Sequence, residues 1–118
     1  MEARSIEEVV SLSSPTQGYA NVLAMMQNTA SMVAWSEKPF IGVSFNYRIG
    51  ALGFLPSRTS FDEGIVNLGL HDQIFLLQWV QDNIEEFGGD KNDVTIFGLS
   101  AGAHSVSAIP ILGNQVSG

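Results

Sequence analysis

The chain has 118 residues, a formal net charge of −7 and only five lysines and arginines, enough length for one domain and not two. An isoelectric point of about 4.4 leaves no basic patch for nucleic acid or for an anionic membrane surface. With no cysteine there is no disulfide framework, thiol nucleophile or thiolate metal site.

Charged residues make up 14% of the chain, against about 25% in typical soluble proteins, and the mean hydropathy is +0.17. A small free-standing domain has a large surface to solvate, so this composition reads as the inside of something bigger. The start, Met1 to Glu8, is not a basic segment leading into an apolar one, and no secretory leader is expected. No apolar run is long enough to span a bilayer, and no Asn-x-Ser/Thr acceptor occurs.

In chain order, Ser5 and Glu8 have the spacing of a capping box, which predicts a short helix through Val10. Ser13 to Gly18 reads as a turn. From Ala20 to Glu37, apolar residues recur at Val22, Met25 or Met26, Ala30 and Val33, which is helical spacing, with the Met pair as core filler. Lys38-Pro39 closes that helix. Phe40 to Phe45 is a largely apolar run, read as a strand buried on both faces. Asn46 to Phe54 reads as a Gly-punctuated loop, and Ser57 to Gly64 as a polar, exposed stretch.

A long helix is predicted from near Asn67 to Phe87, with Leu70, Ile74, Leu77, Val80, Ile84 and Phe87 as its apolar stripe. Asp72 in its first turn suits the helix dipole, whereas Glu85 and Glu86 in its last turn do not. Gly88-Gly89 supplies the C-cap, and Asp90 to Asp93 forms a tight link. Val94 to Phe97 then reads as a buried strand. The core is therefore strand, long helix, strand, solved as a parallel pair with a right-handed crossover. A two-stranded parallel sheet would leave both of its edges open. Repeats and low-complexity tracts are absent.

The stretch that organises the chemistry is Gly98-Leu99-Ser100-Ala101-Gly102, between this last strand and a helix from Ala103 onward. Gly-x-Ser-x-Gly in a strand-turn-helix context is the pattern of a nucleophile elbow. The turn lifts the Ser100 hydroxyl above the sheet edge. Gly98 and Gly102 avoid a Cβ collision with the neighbouring strand or helix. The N–H of Ala101, at the helix N-terminus, is placed to stabilise negative charge on a substrate oxygen. The competing reading is a Gly-rich turn in which Ser100 merely caps the helix. His104 follows Ser100 by one helical turn, but an elbow points its serine away from its own helix, and a surface or packed role fits better. His71 and Asp72 are adjacent on a helix and do not face each other. Asp90 and Asp93 read as turn and cap residues.

Taken together, these residues resemble a family. Phe87-Gly88-Gly89, Val94 to Phe97 and Gly98 to Gly102 are similar to the active-site signature of type-B carboxylesterases, a group that includes cholinesterases, fungal lipases and neuroligins. Asn46-Tyr47-Arg48, Gly53-Phe54, Asn67 to Leu70, Asp72-Gln73 and Trp79 to Ile84 resemble the same family, so the likeness runs from about Met32 to about Val106. It implies an α/β fold: a fragment of the α/β-hydrolase fold, with a parallel strand-helix-strand core ending in a nucleophile elbow. It also implies hydrolysis of a small-molecule or lipid carboxylic ester through an acyl-enzyme. Ser100 would be the nucleophile and the Ala101 N–H one oxyanion donor, with no metal and no organic cofactor.

The chain departs from the family pattern in several places. The family's Gly-Gly oxyanion loop has no counterpart before Gly88, Leu99 stands where many members have Glu, and Thr16 to Ser31 is unlike the family. The family's triad acid and histidine lie far C-terminal of the serine. The expectation is one partial domain over residues 1–118, with an atypical N-terminal segment over 1–31, inactive as an esterase by itself. The rival expectations are a non-catalytic, neuroligin-like binding protein and a truncated product without function.

Overall fold

The computed structural model describes residues 7–11, 30–98 and 101–116. Its frame is a parallel sheet of three strands: β1 (Glu7–Ser11), β2 (Phe40–Ser44) and β3 (Val94–Phe97). The spatial order is β2-β1-β3. β1 pairs with β2 in the register Glu7↔Phe40 to Ser11↔Ser44, and with β3 from Glu8↔Val94 to Ser11↔Phe97.

This corrects three expectations. Residues 7–11 are a strand and not a helix: the capping-box spacing of Ser5 and Glu8 is a local signal, and pairing on both sides of the segment outweighs it. The predicted strands over Phe40 to Phe45 and Val94 to Phe97 both form, the first over Phe40–Ser44, but none of their residues is fully buried, against the expected burial, and they do not pair with each other, because β1 lies between them.

The helices are α1 (Ala30–Trp35), α2 (Gly50–Phe54), α3 (Arg58–Asp62), α4 (Leu68–Asn83) and α5 (Ala101–Val116). α1 is the described end of the predicted Ala20 to Glu37 helix. The remainder of that helix, the Met pair and the Ser13 to Gly18 turn lie outside the described residues. The expected loop from Asn46 to Phe54 contains α2, and the expected polar stretch from Ser57 contains α3. α3 forms because Ser57 and Ser60 make a reciprocal capping box, with Ser57 Oγ accepting from the Ser60 N–H at 2.9 Å. Ser60 is consequently buried, its hydroxyl donating to the Leu55 carbonyl at 2.8 Å.

α4 begins one residue after Asn67, which adopts a left-handed conformation at φ 55°. It ends at Asn83 and tightens into a 3-10 turn over Ile84–Phe87. Gly88, at φ 87°, then caps it as expected. Val80 and Ile84 are buried and meet Ile109 of α5, with Ile41 and Val43 of β2 and Val94 and Ile96 of β3 packed against them. Phe87 departs from the predicted stripe: the 3-10 turn rotates it outward, where it is exposed and tilts against Trp79 at 6.1 Å between ring centroids.

α2 and α4 meet over the Arg48 carbonyl. A Cβ on Gly53 would collide with that carbonyl, and a Cβ on Gly69 would collide with it and with the Phe54 ring. At an open helical position Gly→Ala stabilises by about 1 kcal/mol. Gly69→Ala should instead destabilise by about 1–3 kcal/mol, the cost of overpacking, as read from urea unfolding followed by circular dichroism. A stabilised variant would mean that the carbonyl does not sit against α4.

Candidate active site

The candidate site lies at the C-terminal edge of the sheet. β3 ends at Phe97 and α5 starts at Ala101, so a three-residue connection joins strand to helix. That is the backbone context expected for the elbow. Gly98 is half-buried, Ala101 is the first residue of α5, and Gly102 is buried. Leu99 and Ser100, the expected nucleophile, lie outside the described residues. α5 carries an inward face of Gly102, Ser105 and Ile109, at helical spacing. The Ser105 hydroxyl donates to the Ala101 carbonyl at 3.1 Å, a back-bond within the helix that leaves the first-turn N–H groups untouched. Those N–H groups have no acceptor in their own helix and carry the positive end of its dipole.

Both histidines face solvent. His104 is exposed on α5, and His71 is exposed on α4. Asp90 is a turn residue as expected: its Oδ1 accepts the Asn92 N–H at 2.9 Å, and its carbonyl accepts the Asp93 N–H at 2.9 Å. Lys91 is tied back to the preceding helix, through Gln81 Nε2 on its carbonyl at 2.8 Å and its ammonium on Glu85 at 3.1 Å. Glu85 thereby gains a partner that its place against the dipole did not suggest. These ties fix where β3 enters the sheet. Among the described residues no three His, Asp or Glu side chains gather as a metal-ligand set, and no helix is long and apolar enough to cross a membrane.

Two features escaped the sequence reading. Asp72 does not merely complement a helix dipole. Its Oδ2 accepts from the Arg48 N–H at 3.0 Å and from Nε at 2.8 Å, and its Oδ1 accepts from Nη2 at 2.6 Å. The fork is bidentate and pins the loop after β2 to α4 at Asp72, which stands just past the first turn where it was expected, because the helix starts at Leu68. The signal was present in Arg48, a single cation in a Gly-rich loop, but the span of 24 residues hid the pairing. The second feature is Gln73, which is fully buried with neither amide atom hydrogen-bonded.

Parallel strands, helices between them and a strand followed after three residues by a helix at the carboxyl edge define the class: part of an α/β-hydrolase fold. Solved structures agree. The esterase EstA of Aspergillus niger superposes with a TM-score of 0.75 and 39% identity, over 87% of this chain and 20% of that one. A thermophilic pNB esterase gives 0.76 and 35% identity, over 92% and 22%. Secreted lipase 4 of Gibberella zeae is 54% identical over 77 residues, which is 65% of this chain and 14% of that protein. The profile of the carboxylesterase family matches residues 20–114. The chain belongs to the carboxylesterase family, and it spans about one-seventh of that lipase.

The Arg48–Asp72 clasp gives a pH dependence. The hydrogen bonds from Arg48 hold the Asp72 carboxyl below the usual carboxylate range, and those to Asp72 raise Arg48. A depressed carboxyl contributes stability above its unfolded value and loses it as pH falls through the folded one. The stability difference between the native chain and Asp72→Asn should stay constant from about pH 5 to 8 and close below about pH 4. The Arg48 contribution is complete throughout this range, because it is lost only at strongly alkaline pH. Urea unfolding at a series of pH values measures it, and a difference that persists undiminished well below pH 4 would exclude the clasp.

Proposed function

We propose that this chain is the nucleophile-bearing part of a carboxylic ester hydrolase, with Ser100 as nucleophile. The observation that carries the reading is the three-residue passage from β3 to α5 in a member of the carboxylesterase family. The Ser100 Oγ attacks the ester carbonyl carbon, and the carbonyl oxygen becomes an oxyanion. The Ala101 N–H, at the positive end of α5, donates to that oxyanion. Collapse expels the alcohol and leaves an acyl-serine, which water then hydrolyses to the acid. The substrate class is a small-molecule or lipid carboxylic ester.

A serine hydroxyl is a weak nucleophile until a base takes its proton. His71 and His104 are both exposed, and neither is assigned that role. The 118-residue chain by itself is therefore proposed not to turn over esters. One backbone donor and a helix dipole do not replace a base, since even a single oxyanion donor is worth only about 10²–10³-fold.

The test is a graft. Residues 32–106 of this chain replace the matching segment of secreted lipase 4, and hydrolysis of a p-nitrophenyl ester and labelling by a fluorophosphonate probe are measured. The graft should hydrolyse and label, and Ser100→Ala should lower turnover by about 10⁴-fold or more. The 118-residue chain, shown folded by circular dichroism, should stay unlabelled. A folded, inactive graft would remove Ser100 from the role. Ser100-dependent labelling of the isolated chain would place a base within these 118 residues, with His104 the first to mutate.

A further inference from the structure

Between β2 and α4 the chain makes a long excursion at one edge of the sheet. β2 ends at Ser44, level with Ser11 of β1, and α4 starts at Leu68. Arg48, near the start of the excursion, is fastened to Asp72 of α4. Residues 45–67 therefore stand at the carboxyl edge, the edge from which β3 also passes to α5.

The excursion is ordered by polar groups. α2 packs on α4, with Gly53 and Gly69 against the Arg48 carbonyl. α3 is built round the buried Ser60, whose hydroxyl donates to the Leu55 carbonyl at 2.8 Å and whose carbonyl accepts the Ile65 N–H at 2.9 Å. These bonds fix the backbone on both sides of Phe61. The apolar side chains on this frame are turned outward: Leu52 is 80% exposed, Phe61 73%, Leu55 55% and Ile65 52%. Hydrogen bonds thus hold four large apolar groups in water, which the hydrophobic effect opposes. A patch of this kind marks a surface that something covers.

Charge and position choose the occupant. The chain carries a net charge of −7, which repels an anionic bilayer. Within residues 50–66 the charged side chains are Arg58, Asp62 and Glu63, too few and too mixed in sign to hold a strongly basic or acidic partner. An uncharged apolar surface suits the patch. The patch also shares its edge with the passage that bears Ser100, and an acylglycerol droplet presents its ester carbonyls at its surface.

We propose that the α2–α3 excursion is a docking surface for a neutral lipid ester, seating a droplet of acylglycerol at the edge that carries the nucleophile. Leu52, Leu55, Phe61 and Ile65 enter the acyl layer, and Arg58, Asp62 and Glu63 stay at its wet rim. This rests on the reading of Ser100 given above, and it narrows the substrate class to water-insoluble esters taken from an interface.

Flotation of the 118-residue chain on triolein droplets coated with phosphatidylcholine tests the surface without reference to Ser100. The chain should float with the droplets, and Phe61→Ser should lower its partition by about tenfold, the effect of withdrawing one large apolar side chain from the contact. Trp35 is 90% exposed but precedes β2, toward the opposite edge, so Trp35→Ser should leave partition unchanged. Adding phosphatidylserine to the coat should weaken flotation. In the lipase graft, Phe61→Ser should lower the rate on a triolein emulsion relative to that on p-nitrophenyl acetate by about tenfold. A chain that does not float, or that floats equally well with Phe61→Ser, overturns the docking surface. An equal loss with Trp35→Ser also overturns it, because adhesion would then belong to any exposed apolar group, as does stronger flotation with phosphatidylserine. A Phe61→Ser graft with a lowered Tm and an unchanged rate ratio would mean that another part of the lipase covers the patch, which overturns it too. A graft inactive on both esters counts against Ser100, while flotation still decides the surface.

Discussion

The pairing of β1 on both of its edges is the constraint on which the sheet depends. β2 and β3 each hydrogen-bond to Glu7–Ser11 and not to each other. Ser11 stands level with Ser44 on one side and Phe97 on the other, so the three strands finish together. From that common edge leave the loop that carries Arg48 and the three residues that lead to α5. In parallel α/β sheets the carboxyl edge is where ligands are bound. A five-residue strand thus sets the height at which the start of α5 and the Arg48 loop stand.

Much of this was legible in the sequence, and the failures have a common cause. The long helix, its glycine cap and the two apolar strands were readable because their signals are local: periodicity in α4, φ > 0 at Gly88, β-branched and aromatic runs at Phe40 and Val94. β1 was not, because Glu-Glu-Val-Val-Ser preceded by Ser5 suits a helix until two other strands claim it. α3 was missed although Ser57 and Ser60 cap each other, because a helix of one turn has no periodicity to detect. Phe87 fell outside the stripe because the change from 3.6 to 3.0 residues per turn after Asn83 rotates it away. At the site, the Gly-x-Ser-x-Gly pattern was conspicuous, whereas Gln73 looked like one more polar helix residue. Only burial marks it out, and burial is a property of the packed helices.

Arg48 shows how the edge is kept rigid with few residues. Its carbonyl is gripped between Gly53 and Gly69, and its N–H and guanidinium close on Asp72. One residue therefore locks the end of β2, α2 and the first turn of α4 together. The grip needs glycine on both sides, which removes side-chain packing there, and the clasp replaces it with directional hydrogen bonds. The remaining surface is unusually apolar for so small a chain. Trp35 is 90% exposed, Leu52 80%, Phe61 73% and Phe75 71%. That agrees with a charged fraction of 14% and with a match to 14% of a longer relative. Residues with the composition of an interior have, among those described, a core of three buried aliphatic side chains.

The Arg48 clasp also ties together the two segments that leave the carboxyl edge of the sheet. α4 is held at Asp72 to the loop after β2, and through Val80 and Ile84 it packs on Ile109 of α5, the helix that follows β3 after three residues. One helix therefore contacts both, and any shift of α4 along its axis moves the loop after β2 and the helix after β3 together. The clasp and the small aliphatic core thus act at the two ends of one lever, and loosening either one frees the other segment from its register.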